Sequence, residues 1–241
     1  MNRKAGIWAI VPAAGAGTRM GSSEPKQYLP LLGKTVIANT LERLASFPTI
    51  QGIYVGLSAD DKQWAKVADS LTDLPVEITT YVGGEERANT VLNGLKGLST
   101  VAEEGDWVLV HDAVRPCVRH ADIQKLIDEA RDTDDGGILA VPISDTVKRT
   151  NDDGRIDKSV SRVNLWRALT PQYFPIADLT KALDRSLLEE AETTDEASAM
   201  EFIGAMPRCV LGHADNIKIT YPSDLELAEW YLSRQAKESA K

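Results

Sequence analysis

The chain is poor in the residues that build metal clusters and disulfide frameworks. Its 241 residues include two cysteines and three histidines. Cys117 and Cys209 form no CxxC pair, and no histidine stands at zinc spacing, which argues against both kinds of site. Two buried thiols in a reducing compartment are expected instead. Long apolar runs are also missing: no stretch approaches the roughly 20 residues of a membrane span. The opening run in "MNRKAGIWAIVPAAG" is too short for a secretory h-region, so a soluble, cytoplasmic protein is expected, or an organellar one without its transit peptide. Positive charge is scarce, with 27 Lys and Arg against 36 Asp and Glu, a net charge of −9. Tracking a nucleic-acid backbone needs a continuous basic surface, which this balance disfavours. Binding a small phosphorylated ligand needs only a few convergent cations. No Ser/His/Asp constellation for nucleophilic catalysis is evident either.

What is present is strand and helix in alternation. Strand-like runs at 7–12, 52–58, 76–82, 106–112, 137–143 and 209–221 are separated by helical patterns. The helical patterns lie near 35–46, 60–71, 86–98 and 120–131, and later near 175–190, 195–204 and 222–236. This order predicts βαβ units around a mainly parallel sheet, within one domain over residues 1–241. "WVLV" and "ILAV" are apolar throughout, as strands covered on both faces should be. The helix near 120 has His120 or Asp122 as its N-cap candidate, and the last helix starts at Pro222 or Ser223. One segment departs from the pattern. "PISDTVKRTNDDGRIDKSVSR" (142–162) is polar, and its central "NDDG" favours a β-hairpin. Such a hairpin is a flexible flap or an arm that packs on another subunit.

Ligands of parallel sheets bind beyond the carboxyl ends of the strands. "IVPAAGAGTRMGSSEPKQYLPLLGKT" (10–35) and "HDAVRP" both lie at such ends. Three readings compete for the first. A P-loop needs glycine where Tyr28 stands, so "GKT" reads as a turn and a helix start. A dinucleotide turn fails on glycine spacing, on the missing acid about 20 residues on, and on the prolines of "EPKQYLP". A nucleotidyltransferase loop uses every feature: glycines let backbone N–H groups approach a triphosphate, and Arg19 and Lys26 neutralise it.

Seven segments then occur in order: "PAAGAGTRMG…PKQYLPLLGKTV", "GGEERANTV", "VHDAVRPC", "SDTVKR", "RALTPQ", "TDEASAME" and "ADNIKIT". Together they resemble the 2-C-methyl-D-erythritol 4-phosphate cytidylyltransferases, of which the ribitol-5-phosphate cytidylyltransferases are close relatives. The resemblance implies an α/β, Rossmann-like nucleotidyltransferase fold, a mainly parallel sheet and a protruding β-hairpin arm. It implies attack of the acceptor's phosphate oxygen on the α-phosphorus of CTP, with Mg²⁺ as cofactor and pyrophosphate as leaving group. It also implies a homodimer whose arms interlock.

Residue roles follow from matching these motifs. Arg19 and Lys26 match the transition-state stabilisers. Pro12, Ala13, Ala14, Gly15, Ala16, Gly17 and Thr18, with Gly83, Gly84, Arg87 and Thr90, match the CTP-binding segments. Thr90 stands where the family commonly has Ser, keeping the hydroxyl and adding a methyl group. Arg162 and Lys218 match the residues that position the acceptor phosphate. Asp112, Arg115, Thr146 and Thr194 match acceptor contacts, and the arm would carry Thr146 and Arg162 to the partner's site. Asp112 and Asp215 are the metal candidates. His111 is expected beside Asp112 as a structural neighbour, and His120 and His213 as cap or surface residues.

Overall fold

The computed structural model describes residues 5–15, 24–133 and 135–239. Its strands are β1 (Ile7–Pro12), β2 (Pro30–Leu31), β3 (Lys34–Thr35), β4 (Ile50–Leu57), β5 (Glu77–Val82), β6 (Trp107–Val110), β7 (Gly137–Pro142), β8 (Val147–Thr150), β9 (Ile156–Val160), β10 (Trp166–Pro175) and β11 (Arg208–Leu211). Its helices are α1 (Val36–Ala45), α2 (Trp64–Ala68), α3 (Arg87–Leu98), α4 (His120–Ala130), α5 (Ile176–Leu188), α6 (Glu196–Phe202) and α7 (Pro222–Ser239).

Seven strands form one sheet in the order β11-β7-β10-β6-β1-β4-β5. All its pairings are parallel except those of β10, which runs antiparallel to both β6 and β7. The mainly parallel α/β sheet is therefore as expected. From β1 the chain steps outward through β4 to β5, then returns to place β6 on the other side. That reversal opens a crevice at the carboxyl ends of β1 and β6.

Period-two alternation divides the side chains between two cores. In β1, Ile7, Ala9 and Val11 join α1 and α4 on one face, and Ile10 joins α3 and α5 on the other. In β6, Leu109 takes the first face and Val108 and Val110 the second. A third, smaller core lies under α7, where Ala228 and Leu232 meet Val114, Cys117 and Ile219.

The structure revises several local expectations. β10 was not foreseen as a strand. Of the run 209–221, only its first residues lie in a strand, β11, and residues 212–220 make no ladder. α4 begins with Arg119 at its N-cap. His120 is the first helical residue, its Nε2 facing the Arg43 carbonyl at 2.8 Å. Asp122 is buried and accepts hydrogen bonds from the His213 N–H and ring instead of capping the helix. Cys117 is buried but Cys209 is exposed. The "GKT" turn is as expected: Leu32 and Gly33 have positive φ, and the Thr35 hydroxyl caps α1. The 142–162 segment forms a two-stranded antiparallel hairpin, β8–β9, hydrogen-bonded to itself and separate from the main sheet. Among the described residues, no helix is long and apolar enough to cross a membrane.

Candidate active site

The carboxyl end of β1 continues into Ala13, Ala14 and Gly15. The Ala13 N–H donates to the Gly56 carbonyl, which ties the loop to β4. A short helical turn at Lys26–Tyr28 then packs beneath it. The buried Gln27 amide donates to the carbonyls of Ala13 (2.9 Å) and Gly15 (3.3 Å). Tyr28 donates to Asp61 at 2.6 Å. Anchored on both sides by these bonds, the turn sets Lys26 in the wall of the crevice.

The loop after β5 forms the facing wall. A Cβ on Gly83 would stand 2.6 Å from the Ala14 Cβ, and one on Gly84 2.3 Å from the Asn89 Cβ. Gly83 is therefore required by close approach to the Ala14 loop, and Gly84 by close approach to the first turn of α3. The Thr90 hydroxyl is already committed: it donates to the Glu86 carbonyl (3.1 Å) and accepts from the Gly84 N–H (3.0 Å). It shapes the Gly84 turn, and its methyl group packs where any side chain on Gly56 would have to go.

Asp112 follows β6 and lies at the centre of the site, 6% exposed. Its Oδ1 accepts from Arg87 Nε (3.2 Å), and its Oδ2 accepts from Arg115 Nε (3.2 Å) and Lys218 Nζ (3.0 Å). Burial works against charge here, but Arg87, Lys218 and Arg115 outweigh it and hold the carboxyl far below the usual range. Arg87 also reaches Glu196 with both terminal nitrogens, at 2.6 and 3.0 Å. Burial opposes charge on Arg87 too, yet Glu196 and Asp112 raise its pKa.

Beneath Asp112, His111 is fully buried. Its Nε2 faces the Arg115 carbonyl and its Nδ1 faces the Thr170 hydroxyl, both at 3.0 Å. A carbonyl only accepts, so the proton is on Nε2 and Nδ1 accepts from Thr170. Thr170 in turn accepts from the Asp112 N–H. Burial pushes the imidazole down to about 4. His111 is thus a neutral strut under Asp112, matching its expected role as a structural neighbour.

Two cavities meet at this centre. One, about 180 Å³, is lined by Pro12, Ala13, Ala14, Gly15, Lys26, Gly84, Arg87, Thr90, Asp112 and Lys218, among others. The second, about 220 Å³, is lined by Arg115, Thr170, Gln172 and Thr194 and shares Arg87, Asp112 and Lys218 with the first. The structure therefore gathers most of the expected CTP-binding residues around one cavity and Arg115 and Thr194 around the other. Gly83 stands behind the first wall against Ala14. Ala16, Gly17, Thr18 and Arg19 lie outside the described residues.

Three expected site residues lie elsewhere. Thr146 and Arg162 belong to the exposed hairpin and line neither cavity; Arg162 donates to the Ser144 carbonyl. Asp215 lines neither cavity, and its buried Oδ1 has no hydrogen-bond partner among the described residues. Its Oδ2 accepts from Arg119 Nε (2.9 Å), Arg119 Nη2 (2.6 Å) and Gln235 Nε2 (3.2 Å), which binds it to α4 and α7. Asp112 offers one ionised carboxylate between the cavities, but Arg87, Arg115 and Lys218 already occupy both its oxygens, so a hard cation there would have to displace one of them. Among the described residues no group of three His, Cys, Asp or Glu gathers, so phosphate and water oxygens would complete the shell of any such ion.

Four contributors were not anticipated: Gln27, Thr170, Glu196 and Asn216. All four lie inside quoted motifs, "PKQ", "RALTPQ", "TDEASAME" and "ADNIKIT", and motif membership is the available signal. Asn216 donates to the Thr170 carbonyl at 2.7 Å, and its own carbonyl accepts from Arg115. Its partners come from distant segments, so the motif marks the residue but not its contacts.

Comparison with known proteins bears on this arrangement. The family model described as IspD, 2-C-methyl-D-erythritol 4-phosphate cytidylyltransferase, matches residues 7–234. The chain is 49% identical over 232 residues to the 2-C-methyl-D-erythritol 4-phosphate cytidylyltransferase of Hahella chejuensis, covering 96% of this chain and 95% of that one. It is 46% identical to the Haemophilus influenzae (strain PittEE) protein of the same name, covering 95% and 97%. Among solved structures, the Francisella tularensis 2-C-methyl-D-erythritol 4-phosphate cytidylyltransferase superimposes with a TM-score of 0.82 at 37% identity, over 94% of this chain and all of that one. A crystal structure of a 4-diphosphocytidyl-2C-methyl-D-erythritol synthase gives the same TM-score at 36% identity, over 95% and 100%. With the family model spanning residues 7–234 and relatives 46–49% identical over nearly the whole chain, this protein belongs to the 2-C-methyl-D-erythritol 4-phosphate cytidylyltransferase family.

Proposed function

We propose that the site transfers CMP from CTP to the phosphate of 2-C-methyl-D-erythritol 4-phosphate, releasing pyrophosphate. The observation that carries this reading is the placement of Asp112, Arg87 and Lys218 in the shared wall of two cavities. A donor in the cavity beside the glycine loop and an acceptor in the other would meet across that wall.

The chemistry suits these residues. An oxygen of the acceptor phosphate forms a bond to the α-phosphorus while the bond from that phosphorus to the β-phosphate oxygen breaks. The nucleophile is already an anion, so no proton need be removed and no general base is required. The chain's contributions are alignment and charge neutralisation. Lys26 stands beside the glycine loop, where the triphosphate would lie. Arg19, from its motif, is assigned the same task. Lys218 and Arg115 face the acceptor side. Asp112 holds Arg87, Arg115 and Lys218 apart and in place, so that their charges do not collapse onto one phosphate. Mg²⁺, with Asp112 as its protein ligand, would supply further charge neutralisation on the phosphate oxygens.

The arm supports a homodimer in this reading. Thr146 and Arg162 are exposed and outside their own chain's cavities. Exposed apolar side chains at Ile156, Val163 and Trp166 give the arm and its base a surface to bury against a second copy. A cytoplasmic setting suits the two cysteines, both free thiols.

The deciding experiment is pyrophosphate release with CTP and Mg²⁺, comparing methylerythritol 4-phosphate with ribitol 5-phosphate. Release with the first acceptor alone is expected. Release with ribitol 5-phosphate alone would move the protein to polyol-phosphate metabolism with its chemistry intact. Silence with both, from folded protein that binds CTP, would overturn the transfer reading in favour of a nucleotide-binding regulatory role.

A further inference from the structure

Lys218 and Asn216 lie on a stretch with no ladder or helix to hold them, yet both are placed in the site. The side chains of residues 215–219 show how. Asn216 and Lys218 turn toward the centre, one to Thr170 and the other to Asp112. The alternate residues turn the other way. Ile219 is fully buried in the small core with Ala228 and Leu232 of α7, and Ile217 packs against that core. Asp215 is gripped by Arg119 and Gln235.

An alternating segment has one characteristic failure: a shift by one residue exchanges its two faces. Two isoleucines separated by one residue resist such a shift weakly, because many apolar contacts are interchangeable. The Ile219 N–H donates to the Val114 carbonyl (2.9 Å) at one end of the segment. At the other end, the buried Asp215 carboxylate has three directed donors on Oδ2 and, among the described residues, none on Oδ1; it resists displacement because moving it would leave charge unpaired. Gln235 adds to the grip. Its amide also donates to the Cys117 carbonyl (2.9 Å), and its carbonyl oxygen accepts from Arg43 (3.2 Å). The Asp215 anchor is thus tied to α1, to the segment after β6 and to α7 at once. Arg119 is held from its other side by Glu238 of α7 at 2.9 Å.

We propose that Asp215 is a positioning residue for the transfer site. Clamped by Arg119 and Gln235, it fixes the register of residues 215–219 so that Lys218 faces Asp112. The inference rests on the reading of Lys218 as an acceptor-side cation. It gives the C-terminal helix a part in catalysis although none of its residues lines either cavity.

The test is a kinetic double-mutant cycle on the full-length protein. Asp215→Asn, Lys218→Ala and their combination are compared by pyrophosphate release, with thermal melting as the control for folding. Asp215→Asn should lower kcat/KM for the acceptor by about 10-fold, as loss of a supporting partner commonly does. In the Lys218→Ala background it should add less than about 2-fold, because the residue through which it acts is gone. Arg119→Lys should retain part of the activity, and Glu238→Gln, on the exposed side of the clamp, should stay within about 2-fold of the parent. If Asp215→Asn does not fold, Gln235→Leu carries the same cycle. Equal losses in both backgrounds, or parental kinetics in Asp215→Asn, would overturn the clamp. Lys218→Ala as active as the parent would instead overturn the Lys218 reading itself, whatever Asp215 does.

Discussion

The cluster around Asp112 and the β8–β9 arm handle charge in opposite ways. In the cluster, Asp112, Glu196 and Asn216 are almost fully buried, and Arg87, Arg115 and Lys218 each find carboxylate or carbonyl partners from distant segments. In the arm, Lys148, Arg149, Lys158 and Arg162 are exposed, and the bonds shown for Lys148 and Arg162 stay within the hairpin and its base. Charges in the first region are fixed by the subunit's own tertiary structure. Charges in the second are left for water or for another subunit. The difference teaches that the chain by itself fixes the charges lining both cavities, while Thr146 and Arg162 stay outside them.

The largest effect should come from breaking the buried cluster at its centre. Asp112→Asn leaves Arg115 and Lys218 without their carboxylate and Arg87 with Glu196 alone. Loss of about 3 kcal/mol of stability in urea denaturation is expected, with turnover reduced at least ~10²-fold. Parental stability would show that Asp112 is not the anchor of the cluster. Lys26→Ala tests the same region without touching that anchor. Its turnover should fall by ~10²-fold or more while the melting curve is kept, and an unchanged kcat would remove Lys26 from the mechanism.

The neutral strut sharpens the contrast through pH. His111 takes up its proton near 6.5 when unfolded and near 4 when folded, so unfolding absorbs a proton between those values. Stability from this group is full above about pH 6.5 and is lost as pH falls toward 4. Roughly 2 kcal/mol should disappear between pH 7 and pH 5. Denaturation curves of the parent and of His111→Gln would isolate the contribution, since the variant should lack that component. Equal pH slopes would show that His111 is not held neutral by burial. The exposed arm should behave otherwise: Ile156→Lys should change subunit stability by less than about 0.5 kcal/mol while weakening association in sedimentation. Finally, Lys26→Ala and Arg162→Ala subunits, each inactive alone, should regain turnover when mixed, because one site of the hybrid would then be intact. A verified hybrid without activity would place Arg162 in its own chain's site.

Local signals made much of this protein legible. β1, β4, β5, β6 and β7 and every predicted helix are found, with ends shifted by a few residues, because apolar period and turn residues act over short spans. The glycines at 83 and 84 were marked by their motif, but the contact that requires Gly83, with Ala14, is long-range. β10 was hidden by Pro171 and Pro175, which read against an interior strand. The sheet accommodates Pro171 where the register with β7 shifts between Ala168 and Gln172. The run 209–221 misled in the other direction: its β-like composition is real, but only its first residues find a ladder partner, and the rest is held by α7 and by Asp215.

The sequence by itself determined the alternating elements, the glycine loop, the hairpin and the family. Tertiary structure decided which charges meet. Arg87 heads α3, Asp112 and Arg115 follow β6, Glu196 opens α6 and Lys218 lies before α7, and no spacing along the chain announces that they join one ion-pair network. Asp112 and Asp215 each stand as the single acid of a quoted motif, yet one faces the cavities and the other is held under α7. Electrostatic energy depends on separation in space and on exclusion of water, and both are set only when the layers pack.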